Sequence, residues 1–186
     1  MEKKFELTDN FIINAFGVKL FQIKCTKSFK YAKEGDLGGY VEKDENLDQE
    51  SNAWVSGDAW VYGDAWVSGD ARVYGDAEVY GNARVSGDAW VYGDAEVYGN
   101  AEVYGNAEID NNNKHCGFDC FGSANRHTHA YLTKENKVEI TCGCFRGSIE
   151  EFEKRVEETH SGTIYEKQYK AIIDVIKIKF GLTDLI

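Results

Sequence analysis

Side chains able to do chemistry crowd into the last part of this 186-residue chain, where four of the five cysteines and all four histidines follow residue 114. They come as Cys116-x3-Cys120, His127-x-His129 and Cys142-x-Cys144, with His115 and His160 outside the pairs. Thiolates and imidazoles are the ligands of structural zinc, which takes four of them at the corners of a tetrahedron. The spacings here differ from the Cys-x2-Cys of zinc knuckles, and a Cys-x-Cys on a strand directs both thiols to one face. A nucleophilic Cys142 or Cys144 activated by His160 is the second chemistry these residues allow, but no third member and no oxyanion hole is evident. Buried structural cysteines and surface histidines account for the pattern more simply. The expectation is therefore a chain with no metal, no cofactor and no enzymatic activity. Arg126 and Arg146, beside Gly-rich turns, are suited to meeting phosphate groups of a ligand.

These residues must be positioned by a C-terminal α+β domain, residues 111–186, which begins at the composition break Asn111-Asn-Asn-Lys114. Residues 129–132 and 138–142 read as two strands joined through 133–137. Ser148-Ile-Glu-Glu151 is a capping box, opening a helix toward Thr159 with Ile149, Phe152 and Val156 as its apolar stripe. A last helix over about 163–180 is expected to turn Ile164, Ala171, Ile172, Val175, Ile176 and Ile178 largely inward, giving a ββαα order. At the other end, residues 1–40 read as a small β cap. It is a hairpin of 11–15 and 18–25 around Phe16-Gly17, with Gly35-Asp-Leu-Gly-Gly39 leading onward.

Between the two lies a six-residue repeat, Ala-x-Val-[Ser/Tyr]-Gly-[Asp/Asn], from Ala53 to Asp110. A short fixed period means that each unit buries its apolar face only on the next. Ala and Val, two apart, point to one side of a strand, and Gly-Asp or Gly-Asn supplies a corner. Three units make a triangular coil, so residues eighteen apart stack about 4.8 Å from one another. Val41 and Leu47 extend the period backward, with two extra residues at the corner after Leu47, so the helix runs over 41–110 in about four coils. The outward ladders follow: Trp54, Arg72, Trp90 and Glu108 beside Ser56, Tyr74 and Tyr92; Trp60, Glu78 and Glu96 beside Tyr62, Tyr80 and Tyr98; Trp66, Arg84 and Glu102 beside Ser68, Ser86 and Tyr104. Arg72 between two Trp rings implies cation–π stacking. Outward aromatic columns are either an interaction surface or stacking that stiffens the solenoid. A cap is physically required, because an open end would expose the Val columns and unpaired strand edges.

The formal charge of −11 is uneven: residues 53–110 carry 11 acidic and 2 basic side chains, whereas residues 111–186 carry 11 of each. Asp58, Asp76 and Asp94 form one acidic corner column. Such a rod repels nucleic acid, so direct DNA or RNA binding is not expected. The column either imitates nucleic acid in a basic groove or serves solubility. No stretch approaches the ~20 apolar residues of a membrane helix, no signal peptide follows Met1-Glu-Lys-Lys, and five free-standing cysteines suit a reducing cytoplasm.

The hexad array resembles the hexapeptide-repeat, left-handed parallel β-helix family. Lys33-Glu-Gly-Asp-Leu-Gly-Gly-Tyr-Val-Glu-Lys-Asp-Glu-Asn-Leu47, Gly122-Ser-Ala-Asn-Arg126, Cys142-Gly-Cys-Phe-Arg-Gly-Ser-Ile-Glu-Glu-Phe152 and Glu158-Thr-His160 carry the likeness over nearly the full length. More narrowly, they resemble the members of this family found in bacteriophages, prophages and gut Firmicutes. Acyltransferases and carbonic anhydrases of this fold use coil histidines, and no histidine lies between Val41 and Asn113, so neither chemistry carries over. The resemblance implies a homodimer or homotrimer and a small phage-type accessory protein in the host cytoplasm. The expected function is non-enzymatic: binding and blocking a host defence complex, anti-CRISPR-like, through the aromatic and acidic faces. Alternatives are a sponge for a nucleotide second messenger and a virion or scaffold component.

Overall fold

In the computed structural model, which describes residues 3–182, the chain opens with an antiparallel hairpin of β1 (Phe5–Ile13) and β2 (Lys19–Cys25). The sequence reading starts this hairpin at Phe11. The polar run Thr8-Asp9-Asn10 proves to be a bulge instead, across which pairing jumps from Leu7↔Ile23 to Phe11↔Phe21. Thr8 Oγ1 holds the bulge by donating to the Gln22 carbonyl at 2.9 Å. At the hairpin tip Asn14 Oδ1 accepts from the backbone N–H of Phe16 and of Val18. β3 (Leu37–Val41) pairs antiparallel with β2 and then parallel with the first solenoid coil, Val41 facing Val61.

The hexads form two-residue strands: β4 (Trp54–Val55), β5 (Trp60–Val61), β6 (Trp66–Val67), β7 (Arg72–Val73), β8 (Glu78–Val79), β9 (Arg84–Val85), β10 (Trp90–Val91), β11 (Glu96–Val97), β12 (Glu102–Val103) and β13 (Glu108–Ile109). Every third strand pairs parallel, giving the stacks β4-β7-β10-β13, β5-β8-β11 and β6-β9-β12, with the cap strands extending the second. The result is a parallel β-solenoid of about four coils. Each repeat Ala and Val is buried, and the coils are stitched by bonds such as Trp60 N–H to Ala77 O (2.9 Å) and Tyr62 N–H to Val79 O (3.0 Å). Leu47 bridges to Val67, so the backward extension of the period, with its two-residue insertion, is as read.

Two features close the lower end. A Cβ on Gly38 or Gly39 would sit 2.7 Å from the carbonyl of Val55 or Ala59, so only glycine lets β3 lie this close to the first coil. Lys4, nearly fully buried, sends its ammonium to the carbonyls of Asp48 (2.5 Å), Ser51 (2.8 Å) and Ala53 (2.8 Å). These carbonyls belong to the widened corner. Burial lowers the Lys4 pKa to about 8, against the opposing pull of Asp48.

The chain divides into two compact units with the boundary at Asn112 and Asn113. The second unit is an antiparallel meander of β14 (His115–Phe121), β15 (Arg126–Leu132), β16 (Val138–Cys142) and β17 (Phe145–Ser148), followed by α1 (Ile149–His160) and α2 (Ile164–Lys179). The α+β class is as expected, with four strands where the sequence reading marks two. β14 is broken by Cys120 at φ 63, and β17 is only four residues long; both are weak period-2 signals. The capping box is present, with Ser148 accepting from Glu151 N–H while the Glu151 carboxylate accepts from Ser148 N–H. One sheet face packs Ala130, Ile140 and Cys142 against Phe152, Val156, Ile172, Ile173 and Ile176 of the helices. α2 differs from its expected face. Tyr169, Ile172, Ile173 and Ile176 are buried, whereas Ile164, Ala171, Val175 and Ile178 are exposed, because the stripe that meets the sheet centres on Tyr169 rather than on the aliphatic run. α2 ends in a Schellman motif: Leu182 N–H bonds to Lys177 O, Gly181 N–H to Ile178 O, with Gly181 at φ 66. Among the described residues no helix is long and apolar enough to cross a membrane.

Candidate functional site

The solenoid surface is less uniform than its repeat. Trp54, expected outward, is only 4% exposed, since Phe29 of the cap packs edge-on against it at 5.4 Å. Arg72 lies over Trp90 (5.6 Å), Tyr74 (4.9 Å) and Tyr31 of the cap (5.1 Å), so the second Trp of the expected sandwich is replaced by a cap tyrosine. The loop after β2 thus covers the lower part of this face. Trp60 and Trp90 are half-buried in their ladders, and Trp66, at 40% exposed, carries Arg84 at 6.0 Å.

The tyrosine columns are stacked and tied down. Tyr62 and Tyr80 stack with ring centroids 5.0 Å apart and nearly parallel planes, Tyr80 and Tyr98 at 5.4 Å, Tyr74 and Tyr92 at 4.8 Å. Tyr62, Tyr80 and Tyr92 donate to Glu78, Glu96 and Glu108 at 3.3, 3.4 and 2.7 Å. Burial first, then the neighbouring Glu96 carboxylate, pushes the Tyr80 hydroxyl up to about 12, so it stays a donor. Glu78 is raised chiefly by burial. Tyr62 is itself buried, and Tyr98 is the exposed end of its column. Stacking therefore accounts for much of the aromatic display.

The three corners differ in charge. Asp64 pairs with Lys43 (2.8 Å), and Asn82 and Asn100 bond to one another above it. Asp70 is held by Lys30 (2.5 Å) and Asn52 (2.8 Å), which lower its pKa. Asp58, Asp76 and Asp94, one per coil and all exposed, have carboxylates with no hydrogen bond or ion pair among the described residues. This is the one acidic column, among the described residues, that the fold itself does not use.

In the second unit, strand alternation separates the candidate metal ligands. Cys116 pairs with Ala130 and shares its face under the helices, where burial pushes its thiol up to about 11. His127 and His129 point to the other face, with His115 and Tyr131. There His115 Nδ1 meets His129 Nε2 at 3.0 Å, and His127 Nδ1 meets Asp119 Oδ1 at 2.7 Å. His115 and His129 are buried rather than superficial. Cys120 is exposed in the bulge. No three His, Cys, Asp or Glu side chains among the described residues are placed to hold a metal ion.

Cys142 and Cys144 do not share a strand face. Cys142 pairs with Phe145, so Gly143 and Cys144 form a two-residue hairpin loop, with Gly143 at φ 60 in its first position. Arg146 forms a bidentate pair with Glu139. Arg126, by contrast, lines a cavity of about 250 Å³ together with Cys142, Cys144, Phe145, Arg155, His160 and Tyr169. The start of β15, the hairpin loop after β16, α1 and α2 thus bring together Arg126, both cysteines and His160, which the sequence marks separately. Arg155 and Tyr169 join them without a motif to announce them. No hydrogen bond joins His160 to either thiol among the described residues. Cys142 Sγ instead accepts from Thr128 Oγ1 at 3.3 Å and lies 3.8 Å from Tyr169 Oη, while His160 stacks on the Tyr169 ring at 5.4 Å.

The class this architecture defines is a repeat β-solenoid protein. A family model described as the YdcK β-solenoid repeat matches residues 77–93, about one coil of the array. No curated protein matches the chain.

Proposed function

We propose that this protein is a non-enzymatic binding protein. In this reading it presents the Asp58-Asp76-Asp94 corner, flanked by Tyr74, Tyr92, Trp60, Glu78 and Glu96, to a basic surface of another protein. The observation that carries the reading is the contrast among the corners, since Lys43 pairs with Asp64 in one column and Lys30 with Asp70 in another, whereas all three carboxylates of this one are left open. Carboxylates repeated about every 4.8 Å on a rigid backbone repel each other by about 0.9 kcal/mol per neighbouring pair in water. A basic partner relieves that repulsion and is steered toward it. The partner we name is a host defence component in the cytoplasm, blocked by a phage-type accessory protein. Nucleic acid is disfavoured by the same charge.

Self-association belongs to the same proposal. Ile164, Ala171, Val175 and Ile178 on α2 recur at spacings of seven, four and three and are all exposed. That is the seam of a coiled coil. Asp174 and Lys179 flank it where they would meet across a parallel pair, so a second copy of this chain is the occupant. Native mass spectrometry should give a dimer for the wild type and a monomer for Ile178→Glu; a wild-type monomer at micromolar concentration would remove this part.

The docking surface is tested by capture from bacterial cells, comparing the wild type with Asp58→Lys/Asp76→Lys/Asp94→Lys. The wild type should retain a basic host protein that high salt releases and the triple variant loses. Identical capture by both chains would sink the assignment of the corner.

A further inference from the structure

The cavity of the second unit carries chemistry that the solenoid reading leaves unused. Its rim bears two guanidiniums, Arg126 at the start of β15 and Arg155 on α1, with the His160 imidazole at the end of α1. No Asp or Glu lines it, in a chain whose formal charge is −11. Neither Arg126 nor Arg155 has an ion pair among the described residues, whereas Arg146 nearby is paired with Glu139. Like charges gathered on one rim repel, and an anion seated between them removes that cost. The walls are aromatic: Phe145 and Phe152 at 5.0 Å, with Tyr169 edge-on to Phe152 at 5.6 Å.

We infer that this cavity binds a small organic anion with a flat aromatic body, of the nucleoside monophosphate class. A phosphate accepts paired N–H bonds from each planar guanidinium, an arrangement suited to arginine. A purine or pyrimidine ring packs on Phe145 and the His160 imidazole, with Phe152 and Tyr169 forming the floor beneath, as aromatic rings do in offset or edge-on contact. The Tyr169 hydroxyl, kept protonated by burial and by Cys142 beside it, and the Thr159 hydroxyl are donors for ring or ribose oxygens. Volume sets the size class. About 250 Å³ falls just below the range of drug-sized pockets and suits a mononucleotide better than a dinucleotide. Arg126 lies across the hairpin loop, where a Cβ on Gly143 would come within 2.7 Å of its guanidinium nitrogen. Glycine at the head of that loop is needed for its left-handed backbone, at φ 60.

The inference is independent of the acidic corner, and its test leaves that corner untouched. The full-length protein is titrated by calorimetry with the common ribonucleoside monophosphates and, separately, with inorganic phosphate. At least one nucleotide should bind saturably and far more tightly than phosphate. Arg126→Gln and Arg155→Gln should each weaken it about tenfold or more, the effect of losing a charge-assisted contact. Both side chains are exposed, so circular dichroism should show the fold intact, and Arg146→Gln should bind as the wild type does. No saturable binding of any nucleotide at millimolar concentration would overturn the proposal. Equal affinity for phosphate and nucleotides, or unchanged binding in the double arginine variant, would overturn it as well.

Discussion

Replacing Gly87 by Ala separates two costs that the solenoid corner imposes on a side chain. Gly87 has φ +72, a left-handed backbone that costs an L-residue with a Cβ about 1–2 kcal/mol. Its added Cβ would also lie 2.7 Å from Gly105 N, 3.0 Å from its Cα and 3.1 Å from its O, all backbone atoms of the next coil. Contacts of this kind are comfortable near 3.5–4.0 Å, so the coils must part locally, an overpacking cost of about 1–3 kcal/mol. The sum is about 2–5 kcal/mol. Gly99 is the control, with φ +68 and nothing within 4 Å of its Cβ, because no further coil covers it. Gly99→Ala should cost only the backbone share, about 1–2 kcal/mol. Asn tolerates the left-handed region, so Gly99→Asn should be close to neutral, while Gly87→Asn keeps the clash and recovers only part of the loss. All four tryptophans lie between residues 54 and 90, so fluorescence during urea unfolding reports this unit selectively. The reasoning fails if Gly99→Ala is as destabilising as Gly87→Ala, or if Gly87→Asn restores wild-type stability.

Further outcomes follow from buried contacts. Lys4→Met leaves the carbonyls of Asp48, Ser51 and Ala53 without their ammonium and should cost on the order of 3 kcal/mol in the same urea assay; a loss below the error of the assay would show the widened corner closes without it. Trp54→Ala should destabilise by about 3–5 kcal/mol and Trp66→Ala by much less, since Phe29 covers only the first; equal losses would contradict the cap's position. Iodoacetamide at pH 8 should label Cys120 and Cys144 first, both being exposed. Cys116, its thiol pushed up to about 11 by burial, should react slowly and gain rate toward that pH. Peptide mass spectrometry showing Cys116 labelled as fast as Cys144 would refute this.

The legibility of the chain varied with the distance over which contacts are made. Val41, Leu47 and the ten repeat positions to Ile109 could be paired from the sequence, insertion included, because a solenoid residue meets its neighbour one coil away. In the second unit the capping box at Ser148 was equally readable, being a contact of three residues. The burial of Trp54 was not, since Phe29 reaches it from the cap. The inward face of α2 is not legible for the same reason: its aliphatic residues are numerous enough for two stripes, and only the packed sheet selects one.

Periodicity by itself determined the solenoid, its core of Ala and Val, its ladders and its acidic corners, because in a structure repeating every eighteen residues the chain interval dictates the spatial neighbour. Only the tertiary structure decided which displayed groups remain available. Cap residues occupy Trp54, Arg72 and Asp70, while Asp58, Asp76 and Asp94 stay open. It also decided that Arg126, Arg155, His160 and Tyr169, spread over forty-four positions, face one cavity. No local interval encodes such a meeting, which is set by how two helices seat on a twisted sheet.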